Sequence, residues 1–330
     1  MSGDDDAPAW GPARRVLAAE VAEQVLLHGR SRIAVGTELG LSRFQVARLL
    51  DAALERGLVR VDIDPGADVD ARRSSAVRAA HGLRRALVAR DDGGVPALAA
   101  ALLAETVGTG DVLGLAWSRT VNDVVGLLPR LARCTVVQLC GAYSLPWRRD
   151  GSATAVFRAA ALCGGDAYPV YAPLLLPDAD TARAVRAQPG VADALARCAA
   201  LDTAVVGIGA WRAGHSTVHD VLTAPERRRL AAGGAVGEVV GLLVDRAGRV
   251  LDSGPAHQLV AAGEADLRAA GDVIALVRDP ERADATRAVL RSGLVHTLVC
   301  DAATADALLA PGDGRHPPGG PEVPAPATTP

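Results

Sequence analysis

Short apolar runs alternate with helical patterns through most of this 330-residue chain. The runs are rich in Val, Leu and Ile, are bounded by Gly, Pro or Asp, and read "DVLGLAW", "CTVVQLCG", "AYPVYAPLLL", "TAVVGIGAW", "VVGLLVD", "DVIALV" and "HTLVCD". Strands of a parallel sheet have this composition, because helices cover both faces of such a sheet. The pattern therefore predicts a Rossmann-like, mostly parallel α/β domain over residues 76–311.

Three helical patterns lie upstream of this region. The first covers residues 12–28, and Ser31 and Ser42 can cap the next two helices, which Gly40 separates. The segment "LVRVDI", which follows the third helix, alternates like a short strand. Two short helices joined at a glycine fit a helix-turn-helix, so an N-terminal, all-α helix-turn-helix domain is predicted over residues 12–63.

The remaining segments lack a periodic apolar pattern. Residues 1–11 begin with an acidic stretch and are expected to be disordered. The polar segment "DPGADVDARRSS", with its Pro-Gly turn, predicts a linker over residues 64–75. Residues 312–330 are rich in Pro and Gly, which predicts a disordered tail. The chain is too long for one core of the usual size, so we expect two domains.

The segment "LGLSRFQVARLL" places several polar side chains near the start of the third helix. Its Val and Leu residues fall where the two helices must pack together, which leaves Arg43, Phe44, Gln45 and Arg48 on the opposite face. Such residues enter the major groove when a helix-turn-helix docks on DNA. Arg can pair with guanine and Gln with adenine, while Ser42 and the helix N-terminus suit a backbone phosphate. This face is expected to read operator DNA; the alternative is a solvated helical hairpin without a DNA role.

Charge and composition narrow the function further. The net charge of −3 excludes a chain that is basic overall, but residues 14–60 hold eight Arg against five acidic residues. The chain contains no lysine, which excludes Schiff-base chemistry. We find no signal peptide and no apolar run of membrane-spanning length, so no membrane partner is expected. The five cysteines are dispersed without a CxxC pair, which indicates reduced thiols in a cytoplasmic protein.

Metal and nucleotide signatures are weak. His215 and His219 are four residues apart, but a pair alone makes a poor metal site, and the sequence shows no third ligand. Loop or surface roles are expected for both. The glycines near the strand ends are too sparse for the GxGxxG fingerprint. The sequence therefore predicts neither a metal nor a cofactor.

Several segments resemble the SorC family of sugar-responsive bacterial transcription regulators. The segment "SRFQVARLLDAALERGLVRVDI" is similar to that family's recognition helix and the strand after it. The resemblance continues through "LGLAWSRTVNDVV", "VVQLCG", "YPVYAPLLL", "AVVGIGA", "GGAVGEVVGLLVDRAGRV" and "ERADATRAVLRSGLVHTLVCDAATADALL". It implies an effector domain like the sugar-phosphate isomerase fold, and assembly into homodimers or homotetramers.

The strand-turn-helix "GLAWSRTVNDVV" is the first candidate effector site. Its turn brings together the hydroxyls of Ser118 and Thr120, the guanidinium of Arg119 and the free N–H groups of a helix start. This combination suits an anion, most simply a phosphate. The alternative is a plain helix cap, which would need only one of the two hydroxyls.

Five further residues are candidates for the effector site. Gly141, Gly207 and Gly209 end strands and would let backbone approach a ligand, although glycine also commonly marks a strand end without binding anything. The resemblance implies that Glu238, where the family usually has Asp, lies near sugar hydroxyls; the alternative is that it satisfies backbone donors. The resemblance also implies phosphate contact by Arg282, where the family usually has Lys; the alternative is an exposed arginine at a helix start.

Three functions fit these observations. The favoured one is a non-enzymatic transcriptional regulator that binds operator DNA and senses a phosphorylated sugar or related metabolite. The second is a sugar-phosphate isomerase-like enzyme with an appended domain, which needs a general base, and Glu238 is the one acid placed near the site. The third is an orphan regulator with a decayed pocket. Cys140, at a position that is often polar in the family, and the bulky Trp211 favour it.

Overall fold

The computed structural model describes residues 10–60, 66, 68–91, 93–142, 152–252 and 257–311. The chain divides into two compact units, Met1–Asp64 and Pro65–Pro330. Most of the predicted disordered N-terminus and the whole predicted tail, 312–330, lie outside the described residues. No helix in the described ranges is both long and apolar enough to cross a bilayer.

The first unit contains three α-helices within its described residues. They are α1 (Pro12–Ala22), α2 (Arg32–Leu39) and α3 (Arg43–Glu55), and a π-helical turn, Glu23–Leu27, extends α1. Apolar side chains of all three helices form the core of this unit: Ala18, Val21, Ala22, Val35, Val46, Leu49, Leu50 and Ala53. The amphipathic helical patterns thus bury one face each against a shared core.

Close packing at the turn between α2 and α3 depends on two glycines. Gly40 ends α2 in the left-handed region with a φ of +66°, as the predicted break requires. A Cβ atom on Gly36 would lie 2.5 Å from the carbonyl oxygen of Leu41, so only glycine lets α2 approach the turn this closely. The Ser31 hydroxyl accepts a hydrogen bond from the Ala34 N–H at 3.2 Å, which confirms the predicted cap of α2.

Trp10 differs from its prediction, because it lies within the segment expected to be disordered. Its ring packs against the core of the first unit, and the guanidinium carbons of Arg14 and Arg56 lie 4.9 and 5.1 Å from the ring centroid. Apolar burial and cation–π contacts thus order this residue. The sequence did not indicate that Trp10 is ordered, because the residues before it form an acidic stretch.

The second unit alternates strands with helices. Its strands are β1 (Arg85–Ala89), β2 (Val112–Leu115), β3 (Thr135–Gln138), β4 (Ala167–Tyr168), β5 (Thr203–Ala210), β6 (Ala235–Val239), β7 (Leu242–Asp245), β8 (Asp272–Val277) and β9 (Thr297–Asp301). Its α-helices are α4 (Ala71–His81), α5 (Gly94–Thr106), α6 (Arg119–Leu127), α7 (Ser152–Cys163), α8 (Ala179–Arg186), α9 (Pro189–Arg197), α10 (Thr217–Val221), α11 (Ala224–Ala232), α12 (Glu264–Ala269), α13 (Ala283–Arg291) and α14 (Ala302–Leu309).

A parallel sheet forms the centre of the second unit. Its strand order is β1-β9-β8-β5-β2-β3-β4, and β6 and β7 form an antiparallel hairpin in which β6 pairs with the end of β5. Alternate residues of β8 belong to two different buried apolar clusters, so both faces of the sheet are covered. The predicted, mostly parallel α/β fold is confirmed. The segments that follow β2, β5 and β8 meet at the carboxyl edge of the sheet, where ligands bind in this architecture.

The predicted linker over residues 64–75 is too long. Helix α4 begins at Ala71, because the Asp70 side chain accepts a hydrogen bond from the Arg73 N–H at 2.9 Å and caps it. Val69 also bridges to Ala89 of β1. The segment is polar because it contains the N-cap of α4 and an exposed face of that helix.

Three apolar segments also differ from their predictions. The segment "AYPVYAPLLL" forms a strand only at its start, Ala167–Tyr168, and "VVGLLVD" divides between β6 and β7. Residues 58–60 of "LVRVDI" form no strand, and residues 61–63 lie outside the described residues. Strand β1 was not predicted, because Arg84 just before it and Arg85 at its start interrupt the apolar pattern.

Candidate functional site

A cavity of about 330 Å³ lies at the carboxyl edge of the sheet. Seven predicted effector residues line it: Ser118, Arg119, Gly141, Gly207, Gly209, Glu238 and Arg282. A second cavity, of about 350 Å³, is lined by the eighth, Thr120, and shares Ser118, Arg119, Gly207, Ile208 and Arg282 with the first. The two cavities therefore adjoin, and together they are the candidate effector site.

The turn that starts α6 supplies both a cap and free donors. The Ser118 hydroxyl accepts a hydrogen bond from the Val121 N–H at 3.0 Å, so it caps the helix. The N–H groups of Arg119 and Thr120 lie in the first turn, where no intrahelical acceptor exists. The side chain of Arg119 is exposed. The cap uses Ser118, and the other donors of this turn stay available for an anion.

Arg282 lies at the start of α13 and lines both cavities. Its Nη1 donates to the carbonyl oxygen of Ile208 at 2.7 Å, and its Nε lies 3.3 Å from Asp279 Oδ2. Among the described residues, Nη2 has no protein partner. The guanidinium is therefore fixed against the end of β5 with donor capacity left for a ligand.

Glu238 lies within β6, one residue before the end of the strand. Its Oε2 accepts from the Ser216 hydroxyl at 2.5 Å, and its Oε1 accepts from the Gly241 N–H at 3.1 Å. Burial raises the pKa of this carboxyl, although these hydrogen bonds oppose the effect. Val240 and Gly241 form the hairpin turn with φ values of +50° and +84°. Glu238 thus satisfies backbone donors and ties the hairpin to the start of α10.

The three candidate glycines face protein atoms. A Cβ on Gly141 would lie 2.6 Å from the carbonyl oxygen of Pro173, and one on Gly209 would lie 2.8 Å from Glu238 Oε2. A Cβ on Gly207 would meet the Cβ of Ser118 at 3.3 Å. Glycine is therefore favoured here because the cavity walls pack closely together. The approach of a ligand to these backbone positions stays a prediction.

His215 is a cavity residue that the sequence failed to indicate. Its Nδ1 lies 3.1 Å from Asp279 Oδ2, and its Nε2 lies 3.7 Å from Glu281 Oε2. Arg212 pairs with Glu281, and Arg282 lies beside Asp279, so two guanidinium groups already neutralise these carboxylates. Burial, followed by Arg212 and Arg282, lowers the pKa of His215. The only available signal was that these residues follow β5 and β8, whose ends share one edge.

His219 does not join His215 at a common site. Its ring packs edge-on against Trp211, with 5.2 Å between ring centroids, and its Nδ1 lies 3.2 Å from Asp220 Oδ1. Trp211 is buried outside the described lining of both cavities, whereas Cys140 lines the first one. Of the two residues that suggested a decayed pocket, only Cys140 contacts this space.

The N-terminal end of α3 presents the predicted DNA-binding face. Arg43, Phe44, Gln45 and Arg48 are all exposed, and the Arg43 guanidinium lies 4.6 Å from the Phe44 ring centroid. Gln45 Oε1 accepts a hydrogen bond from the Ser42 N–H at 2.8 Å, and Ser42 Oγ accepts from the Gln45 N–H at 3.3 Å. This capping box engages the two side chains expected to contact adenine and phosphate. The two arginines and Phe44 stay available on the surface.

Comparison with known proteins identifies the second unit. A family model described as "Putative sugar-binding domain" matches residues 69–310, well over half of the chain. The chain belongs to the SorC family of sugar-binding transcriptional regulators. The matched range, residues 69–310, contains every predicted effector residue.

Relatives in the family share about a quarter of their residues with this chain. The erythritol catabolism regulatory protein EryD of Brucella abortus is 28% identical over 301 residues, which cover 87% of this chain and 94% of EryD. The transcriptional regulator LsrR of Enterobacter sp. is 27% identical over 310 residues, which cover 89% of this chain and 93% of LsrR.

Solved structures confirm the SorC-type fold. The full-length sorbitol operon regulator SorC of Klebsiella pneumoniae matches with a TM-score of 0.70 and 22% identity, over 90% of this chain and 99% of SorC. A transcriptional regulator from Streptococcus pneumoniae TIGR4 matches with a TM-score of 0.67 and 18% identity, over 72% of this chain and 95% of that chain.

Proposed function

We propose that this SorC-family chain is a transcriptional regulator that binds operator DNA through α3 and senses a phosphorylated sugar at the candidate effector site. The named relatives regulate erythritol catabolism and the sorbitol operon, which supports a sugar-derived effector. The regulator acts in the cytoplasm. It acts as a homodimer or homotetramer, because a symmetric pair of recognition helices reads a longer and more specific DNA site than one helix does.

The observation that carries the proposal is the donor set at the junction of the two cavities. Unpaired N–H groups at the start of α6 and the guanidinium groups of Arg119 and Arg282 line the same space. A helix N-terminus and arginine side chains both favour a phosphate, and hydrogen bonds to a charged group are about twice as strong as neutral ones. The phosphate group therefore supplies much of the affinity, and the sugar occupies the cavity towards Glu238.

The effector acts by shifting a population of conformations. It binds one arrangement of the oligomer better than another, and the difference in affinity sets how far the DNA-binding helices change their spacing. Arg282 can take part in such a change, because it joins the start of α13 to the end of β5 through Asp279 and Ile208.

Catalysis is disfavoured as an alternative. An isomerase needs a general base within hydrogen-bond reach of a substrate proton. Glu238 is the one predicted candidate, and both of its oxygens accept hydrogen bonds from Ser216 and Gly241. We therefore infer a binding role for this cavity. An orphan regulator with a decayed pocket is also disfavoured, because all eight expected effector residues line open space.

A ligand screen tests the proposal. A sugar phosphate at a hundredfold excess over its Kd raises the free energy of unfolding by about 2.7 kcal/mol, which a thermal-shift screen detects. Isothermal titration then compares that compound with the unphosphorylated sugar. Arg282→Ala weakens the phosphorylated compound about tenfold or more, because a charge-assisted bond is lost. Arg228→Ala, an exposed arginine outside the cavity lining, leaves its affinity unchanged. Equal affinity for both compounds in the wild type contradicts the phosphate assignment.

A further inference from the structure

His215, Asp279 and Glu281 form a group beside the two cavities, here called the histidine cluster. His215 lines the first cavity and Asp279 lines the second. A carboxylate oxygen faces each ring nitrogen of His215, Asp279 Oδ2 at 3.1 Å from Nδ1 and Glu281 Oε2 at 3.7 Å from Nε2. A neutral imidazole carries one N–H and no charge, whereas the imidazolium carries an N–H at each ring nitrogen and a positive charge that attracts both carboxylates. The geometry of the acids therefore favours a proton on His215.

Two arginines oppose that proton. Arg212 Nη2 lies 3.3 Å from Nδ1 of His215, and Arg282 Nε lies 3.3 Å from the same Asp279 oxygen that faces His215. Burial and these two guanidinium groups lower the pKa of His215, which favours the neutral imidazole when no anion is bound. His215 and Arg282 thus share one carboxylate oxygen, and each limits the other's pairing with it.

We propose that His215 is a further effector-binding residue: a dianion bound at Arg282 draws one proton from the solvent onto the imidazole. This inference rests on the proposed effector site. The dianion offsets the charges of Arg212 and Arg282 and competes with Asp279 for Arg282. Asp279 is then left to pair with the His215 imidazolium, which adds a positive charge to the cavity wall. The site therefore prefers a doubly charged anion over a singly charged or neutral ligand.

The groups that face His215 set the direction of the pH dependence. They are Asp279 and Glu281 on the segment after β8, Arg282 at the start of α13 and Arg212 on the segment after β5. Glu238 on β6 and Asp220 on α10 also line the cavity. Since the bound state holds an extra proton, affinity rises as pH falls through the pKa of His215 in the bound state.

Sulfate is the probe, because it keeps two negative charges across the pH range in which His titrates. Isothermal titration of the full chain at about pH 5.5 and about pH 8 gives tighter binding at the lower pH. The gain is about tenfold for each pH unit by which binding raises the pKa of His215. His215→Gln binds sulfate with little pH dependence. His219→Gln, the matched control outside the cavity lining, keeps the wild-type dependence.

The NMR signal of the His215 ring reports the same event directly, as a rise in its pKa on saturation with sulfate. A wild type whose sulfate affinity is equal at both pH values overturns the role of His215 and leaves the anion site intact. The same holds if His215→Gln keeps the wild-type dependence, which then belongs to another group such as Glu238. Failure to bind sulfate at any pH overturns both this inference and the proposed phosphate site.

Discussion

Glu238 is a buried carboxylate that accepts hydrogen bonds from two uncharged groups. Ser216 and Gly241 donate to its two oxygens, and burial raises the pKa of Glu238 above 4.5. The folded chain therefore binds this proton more tightly than the unfolded chain. The sign follows from linkage: the contribution of Glu238 to stability is present below about pH 4.5 and is lost as pH rises through its folded pKa.

Glu238→Gln removes the charge and keeps the shape. Between about pH 5 and about pH 8, the free energy of unfolding of the wild type falls relative to that of the variant. The difference is about 1.4 kcal/mol for each pH unit by which the folded pKa exceeds the unfolded one. Urea unfolding at both pH values measures it, and Glu105→Gln, at an exposed position, is the control. Parallel pH profiles for wild type and Glu238→Gln would show that the carboxyl is not perturbed.

Residues that directly follow a strand of the sheet could be predicted from the sequence. Ser118 was predicted from its strand-turn-helix pattern and Arg282 from the family resemblance, and the parallel sheet brings the ends of the strands before them together. His215 was given only a loop or surface role because its partners, Asp279 and Glu281, are more than sixty positions away in sequence. No local pattern reports contacts that only the order of strands in the sheet creates.

Among the secondary-structure elements, the position of a strand in the sheet explains whether the sequence predicted it. The runs that became β5, β8 and β9 are interior strands of the sheet and are buried almost throughout. Strand β1 lies at one edge, where its first residues are half-buried, so its pattern is weak. The β6–β7 hairpin was taken for one strand, because its turn uses Val240 at a positive φ in place of a typical turn residue.

Different residues at the start of α3 are expected to serve stability and DNA binding. Ser42 and Gln45 cap the helix, whereas Arg43 lies on the exposed face without a described role in the core. Ser42→Ala lowers the free energy of unfolding by about 0.5–2 kcal/mol, because a capping hydrogen bond is lost. Hydrogen exchange of the α3 amides measures this loss in the first unit. Unchanged exchange in Ser42→Ala would contradict the capping assignment.

Arg43→Ala is the matched variant on the same turn. It leaves hydrogen exchange unchanged and weakens binding to operator DNA by about 1–3 kcal/mol, because an arginine that contacts a base edge is lost. Fluorescence anisotropy with labelled DNA measures the affinity. Arg48→Ala is expected to behave in the same way. If both variants bind DNA as the wild type does, α3 is not the recognition helix.

In the whole molecule, specific binding to operator DNA is expected to need more than one chain. One helix-turn-helix contacts too few base pairs for useful specificity, and a symmetric dimer doubles the site. Light scattering at micromolar concentration is expected to give the mass of a dimer or tetramer, compared with 33.7 kDa for one chain. A monomer both with and without DNA contradicts this expectation.

The central claim is that one chain joins DNA binding to recognition of a phosphorylated sugar. The most direct test is the affinity of the full chain for labelled DNA from upstream of its own gene, measured by anisotropy with and without sugar phosphates. The account predicts that at least one sugar phosphate changes this affinity by about fivefold or more, the lower range of allosteric coupling, and that the matching unphosphorylated sugar does not. DNA affinity that is unaffected by every sugar phosphate that binds the chain would contradict it.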